Sequence, residues 1–209
     1  MDWPAVAAAT AAGLAPTDPV AVTLANRVIA CSESARAAGV RRRMRRREAQ
    51  ARCPQLHVVA ADPARDARHF EGVTAAVDDL VPRAEVLRPG LLVLSVRGAA
   101  RYFGSEPAAA ERLIDTVAAA GAECQVGIAD QLSTAVFAAR AGRIVAPGQD
   151  APFLSELSIR QLATEPALAA PGREDLSDLL WRMGIRTLGQ FAALSRTDVA
   201  SRFGADAVV

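Results

Sequence analysis

Between Val40 and Arg52 the chain carries Arg41, Arg42, Arg43, Arg45, Arg46, Arg47 and Arg52 against one acid, Glu48, its only concentrated positive charge. Guanidinium forks match phosphate oxygens in pairs, and such contacts hold a protein on nucleic acid without reading bases. The same run also reads as a solvated helix face, and the residues alone leave both readings open. Hydrolytic or phosphoryl-transfer chemistry would need carboxylates that converge. The acids offer no strong pair. Asp78-Asp79 read as a helix end, Glu111 and Asp115 as a helix face, and Glu174-Asp175 as a first helical turn, where acids suit the dipole. His57 and His69 lack a partner at ligand spacing, and Cys31, Cys53 and Cys124 form no Cys-x-x-Cys pair. No zinc site, disulfide framework or other cofactor is expected.

The 209 residues are 51% apolar with a formal charge of +1, enough for one large domain or two small ones in a soluble globular class. No Lys occurs, so any affinity for nucleic acid has to be local and built from Arg. The odd cysteine count, the lack of a signal peptide and the lack of an apolar run of roughly 18 residues point to a reduced cytoplasm. The stretch from Ala5 to Leu14 is too short to span a membrane. The end at Asp206-Ala207-Val208-Val209, straight after a helical pattern, suggests a piece of a longer protein.

The elements that must position these residues read as follows. A small-residue helix covers residues 2 to 13, with Asp2 as its cap and Pro4 in its first turn. Strands at Val20–Leu24 and Val28–Cys31 flank a turn at Asn26-Arg27, and Ser32 or Ser34 caps a short helix ending at Gly39. Asp62-Pro63 opens a helix with Ala67, Phe70, Val73, Val77 and Leu80 on one face. Glu85 to Val96, broken by Pro89-Gly90, reads as a hairpin, followed by a loop through Gly98 and Gly104. A helix from Glu106 to Ala120 turns Leu113, Ile114 and Val117 inward, and Cys124 to Ala129 forms a strand. This order is the larger part of a split βαβ sheet. Beyond Pro147-Gly148 the pattern is all helical: Asp150 to Leu157, Ile159 to Leu162, a linker near Pro166 to Gly172, and Arg173 to Met183. There Gly184-Ile185-Arg186-Thr187-Leu188-Gly189 between two helices resembles a helix-hairpin-helix, whose glycines would leave amides free for a phosphate.

Ala35-Arg36-Ala37-Ala38-Gly39-Val40-Arg41 with Ala51-Arg52-Cys53-Pro54, the Glu85 hairpin, Cys124 to Ala129 and Leu180 to Gly204 together resemble the Y-family translesion DNA polymerases over nearly the whole chain. Arg101-Tyr102-Phe103-Gly104 and the Arg-rich run look most like that family's inactive, polymerase-like branch. The resemblance implies an α/β palm with a ferredoxin-like split βαβ sheet at residues 1–19 and 61–147. A small fingers insertion would fill 20–60 and an all-α helix-hairpin-helix thumb 148–209, with the little finger and C-terminal region absent. It aligns Gly90 and Leu91 with the hairpin's two metal-binding carboxylates, Ala5 with the aromatic that rejects ribonucleotides, and Glu33 with a triphosphate-touching Tyr. The first metal-binding Asp would fall just before Met1. Arg36 alone keeps a triphosphate-contacting type, a vestigial role beside which a bond to a carboxylate or backbone carbonyl is the larger expectation. Arg143 is a weaker match for a Lys.

The resemblance thus implies no metal, no cofactor and no catalysis, and a scaffold for DNA-damage-induced translesion synthesis in the cytoplasm at the nucleoid. Arg41, Arg42, Arg43, Arg45, Arg46 and Arg47, with Gly184, Arg186, Thr187 and Gly189, would grip primer-template DNA without sequence preference. A RecA-like protein, an error-prone C-family polymerase and the sliding clamp are the implied partners, met mostly through regions outside this chain. An active low-fidelity polymerase with unrecognised acids, and a protein-interaction module without DNA binding, are the alternatives.

Overall fold

The computed structural model describes residues 3–165, 167–168 and 173–204. The chain divides into two compact units, Met1–Cys124 and Gln125–Val209.

The first unit opens with α1 (Trp3–Ala11), whose Trp3, Ala5, Ala7 and Ala8 are buried. The expected cap, Asp2, lies outside the described residues. Strands β1 (Val20–Leu24) and β2 (Arg27–Cys31) pair antiparallel around Ala25 and Asn26, both with positive φ, so the turn sits one residue earlier than expected. Ser32 then caps α2 (Glu33–Ala37) by accepting from the amide of Ala35. After α3 (Arg46–Arg52) comes β3 (His57–Ala60), a strand with no expectation in the sequence, lying parallel to β1 in the order β2-β1-β3.

Helix α4 (Pro63–Leu80) starts where Asp62 and Pro63 put it. The Asp62 carboxylate accepts the Arg65 amide at 2.9 Å, and that bond holds its pKa below the ordinary value. Phe70, Val73 and Val77 are buried as expected, but Ala67 is exposed, and the stripe continues instead through Arg65 and Asp66. These two pair at 2.7 Å, which makes their burial tolerable.

Strands β4 (Glu85–Arg88) and β5 (Leu91–Val93) form the hairpin around Pro89-Gly90 as a separate two-stranded sheet. The split βαβ sheet is therefore corrected: Cys124 to Ala129 forms no strand, only an isolated bridge from Ile128 to Ile144. A Cβ on Gly127 would come within 2.0 Å of the Ala139 backbone, so this segment is packed tightly beside a helix end. The expected loop at Gly98 is also corrected, to α5 (Val96–Phe103), which Gly104 ends in the left-handed conformation. Helix α6 (Glu106–Ala119) buries Leu113 and Val117 but leaves Ile114 exposed, contrary to expectation.

The second unit is helical: α7 (Leu132–Ala139), α8 (Asp150–Glu156), a 3-10 turn (Ile159–Ala163), α9 (Arg173–Arg182), α10 (Leu188–Ala192) and α11 (Arg196–Phe203). Buried Asp150 accepts the amides of Asp130 and Gln131, while Asp130 accepts that of Gly148, which closes the connection between α7 and α8. The expected linker at 166–172 lies mostly outside the described residues. No helix among the described residues is long and apolar enough to cross a membrane.

Candidate nucleic-acid interface

Apolar anchors decide where the arginines point. Val40 is fully buried with Ala21, Val28, Cys31, Ala35, Ala49, Cys53 and Leu56, and Met44 packs against the same cluster. Between these anchors the backbone runs along β2: Arg43 N donates to Val28 O at 2.7 Å, Val28 N to Met44 O at 2.9 Å, and Arg46 N to Asn26 O at 2.9 Å. Arg41, Arg42, Arg43, Arg45, Arg46 and Arg47 are all left exposed on this fixed backbone. Arg42, Arg45, Arg46 and Arg47 make no side-chain hydrogen bond or ion pair to any described residue. Arg41 donates to the carbonyls of Arg36 and Val40. The one acid, Glu48, faces Arg52 at 3.3 Å, an exposed pair worth little.

Arg27 joins this surface, and the sequence reading missed it. Its backbone bridges Arg45 and its Nη1 donates to Arg43 O at 3.0 Å. The signal was available only through pairing, because Arg27 lies well upstream of the basic run. Arg36 donates to Cys31 O at 2.7 Å, in line with the expected backbone bond.

At the hairpin, Gly90 adopts φ +85, and a Cβ built on it would lie 2.4 Å from Trp3 Cβ and 3.1 Å from Trp3 Cγ. Trp3 is fixed by an Nε1 bond to Asp66 O at 2.8 Å and an edge contact with Phe70. Leu91 follows, half-buried. Among the described residues no three His, Cys, Asp or Glu side chains gather where a metal could sit. Asp78, Asp79, Glu111, Asp115, Asp175, His57 and His69 are exposed, and the Glu174 side chain lies outside the described residues. Burial pushes the Cys124 thiol pKa up, which disfavours the reactive thiolate.

In the second unit most amides of the glycine turn are already in use. Gly184 N donates to Trp181 O and Ile185 N to Leu180 O, as in a helix C-cap. Gln190 Oε1 takes the amides of Arg186 at 2.6 Å and Thr187 at 3.3 Å, and Thr187 Oγ1 takes that of Gln190 at 3.2 Å. Leu188 N donates to Leu157 O. Gly189 serves close packing, since a Cβ there would meet Ser155 Cβ at 2.8 Å. Of the turn's two glycines, Gly184 has its amide bonded, and the capping box engages the amides of Arg186, Thr187 and Gln190 around Gly189. What the turn presents outward is the Arg186 side chain.

A model of the impB/mucB/samB family matches residues 3–140. The chain belongs to the impB/mucB/samB family. It is 28% identical over 165 residues to Protein ImuB of Caulobacter vibrioides, strain NA1000 / CB15N, and equally to that of strain ATCC 19089 / CIP 103742 / CB 15. The match takes in 78% of this chain but 34% of each relative, so the chain spans about a third of their length. Among solved structures it is similar to DinB from Sulfolobus solfataricus, with a TM-score of 0.75 at 16% identity over 99% of this chain and 62% of that one. A Dbh ternary complex gives a TM-score of 0.70 at 16% identity, covering 99% of this chain and 61% of that one. At such identity the likeness shows the fold alone: this impB/mucB/samB chain has the mixed α/β, polymerase-like architecture that the Y-family resemblance implied.

Proposed function

We propose that this chain is the polymerase-shaped part of a non-catalytic scaffold for DNA-damage-induced translesion synthesis, holding primer-template DNA by its backbone while other subunits synthesise. The observation that carries the reading is the Arg41–Arg47 loop, whose arginines stand exposed on a pinned backbone beside Arg27. Phosphates are the partners such forks fit, and the fit is independent of sequence. Loss of catalysis is supported by Gly90 and Leu91, which offer no oxygen where the resemblance aligns two carboxylates, and by Trp3, which fills the space beside Gly90. Two cations clamped by carboxylates are what that phosphoryl transfer would need.

Palm at 1–19 and 61–147, fingers at 20–60 and thumb at 148–209 remain the domain assignment in this reading. The RecA-like protein, the C-family polymerase and the sliding clamp are partners reached mainly through regions outside this chain.

The test is binding of fluorescent primer-template DNA at two salt concentrations, beside the variant Arg42→Ala/Arg43→Ala/Arg45→Ala/Arg46→Ala. Affinity of the unaltered chain falls steeply with salt, and the variant binds more weakly with a log–log slope shallower by about 3.6, near 0.9 for each of the four lost phosphate contacts. Absence of binding at low salt would overturn the DNA-holding reading in favour of a pure protein-interaction module.

A further inference from the structure

Helix α5 departs from local helix rules on one face. Arg97 and Arg101, a helical turn apart, are both exposed, and neither makes a hydrogen bond, ion pair or ring contact to any described residue. Like charges at that spacing repel and weaken a helix. Gly98, beside them in the helix interior, costs further stability, and a Cβ built there would meet nothing within 4 Å, so no internal packing demands glycine. Tyr102, one turn on from Gly98, is 83% exposed, and an edge contact with Phe103, centroids 4.9 Å apart at 87°, holds the plane of its ring. The opposite face is ordinary, with Ala99 buried and Val96, Ala100 and Phe103 half-buried. A like-charge pair, an interior glycine and an exposed aromatic thus share the outward side of one short helix. Local violations of this kind gather at surfaces that bind something.

The face has two rows. Arg97 and Arg101 form one, with Cβ atoms about 5–6 Å apart by helix geometry, and Gly98 and Tyr102 form the other. Guanidinium forks take carboxylates through two parallel bonds, and carboxylates a turn apart on an apposed helix have the matching spacing. An apolar side chain of that helix meets the bare backbone at Gly98 and the Tyr102 ring, since glycine permits close approach. Tyr and Arg are also the types that anchor protein interfaces. Charge weighs against a polyanion. Helix α6, packed beside α5, exposes Glu111 and Asp115, and neither pairs with Arg97 or Arg101. A nucleic-acid strand, negative at every residue, would run past those carboxylates, whereas a helix with two acids on one face places its charge only at the arginines.

We infer that the outward face of α5 docks an acidic amphipathic helix of a partner protein, with two carboxylates a turn apart on Arg97 and Arg101 and an apolar side chain against Gly98 and Tyr102. This goes beyond the DNA-holding reading and does not depend on it.

The probe is a fluorescein-labelled, alanine-based helical peptide with two Glu a turn apart and a Leu on the same face. Its anisotropy is followed at low salt with the four-alanine loop variant, which removes the other cationic surface. Arg97→Gln/Arg101→Gln should weaken binding about tenfold or more, Tyr102→Ala several-fold, and replacing both Glu of the peptide by Gln should weaken it as much as the arginine variant does. Gly98→Ala is the sharper variant: it should raise the melting temperature by restoring helix propensity and still weaken the complex several-fold, because the added methyl blocks approach. A weaker complex from a better-folded chain cannot come from unfolding. Failure of the peptide to bind, or equal binding by either the Gln pair or Gly98→Ala, overturns the proposal. If the Gln pair in the otherwise unaltered chain loses primer-template DNA and not the peptide, the face serves nucleic acid and the proposal fails while the DNA-holding reading stands. If the Gln pair changes only the sedimentation of the chain, a second copy covers the face and the proposal fails as well.

Discussion

Gly90 and Arg43 occupy the same backbone region, φ +85 and φ +71, with opposite surroundings. At Gly90 the space is closed: Trp3 sits where a side chain would begin, and glycine is compelled twice over, by conformation and by contact. At Arg43 the space is open, and the chain keeps a cationic side chain in a conformation that costs an L-residue about 1–2 kcal/mol. Its backbone bond to Val28 O and the Arg27 contact hold it there. Where packing governs, the position holds no side chain. Where charge governs, it has accepted backbone strain.

The largest effect is expected from filling the closed position. Gly90→Asp forces a Cβ against Trp3 and an L-residue into the left-handed region, and should destabilise the first unit by roughly 3 kcal/mol or more. Urea denaturation measures this. A variant as stable as the parent would show that the hairpin can retreat from Trp3, and the contrast would collapse. Relieving strain at the open position gives a smaller and opposite change. Arg43→Gly should raise stability by about 1 kcal/mol or less while weakening DNA binding, and a fall in both would place Arg43 among the structural residues. The smallest effect concerns the Asp62 cap of the helix that carries Phe70 against Trp3. Its folded pKa is lowered, so its stabilisation is present above the ordinary value of 3.8 and is lost as pH falls through the lower folded value. Melting temperatures of the parent and Asp62→Asn, compared from neutral pH downward, should converge in that acidic range. A constant gap would mean that the charge contributes nothing.

Local chemistry was legible from the sequence, and long-range pairing was not. Asp62-Pro63, Ser32 and Pro89-Gly90 each dictate a turn or a start within a few residues, and all three stand where expected. Strand β3 escaped notice because His57-Val58-Val59-Ala60 is short and earns its place only by parallel pairing with β1, far away in sequence. Gly98 suggested a loop, but it lies within helix α5, and the breaker is Gly104. The basic run was plain as composition. Which side it faces depends on Val40 and Met44 as anchors, and Arg27 enters only once β2 is paired. In the glycine turn of the second unit, the residue that takes the Arg186 and Thr187 amides is Gln190, whose capping role becomes visible only with its side chain in place.

The seat of Trp3 against Gly90 also couples two distant positions of the chain. Any side chain larger than hydrogen at position 90 meets the β-carbon of residue 3, not only its indole. Trimming Trp3 to a smaller residue such as Ala would leave that collision in place. A side chain at position 90 is therefore accommodated only if the first helix shifts at the same time, so positions 3 and 90 are coupled through backbone placement and not through side-chain size alone.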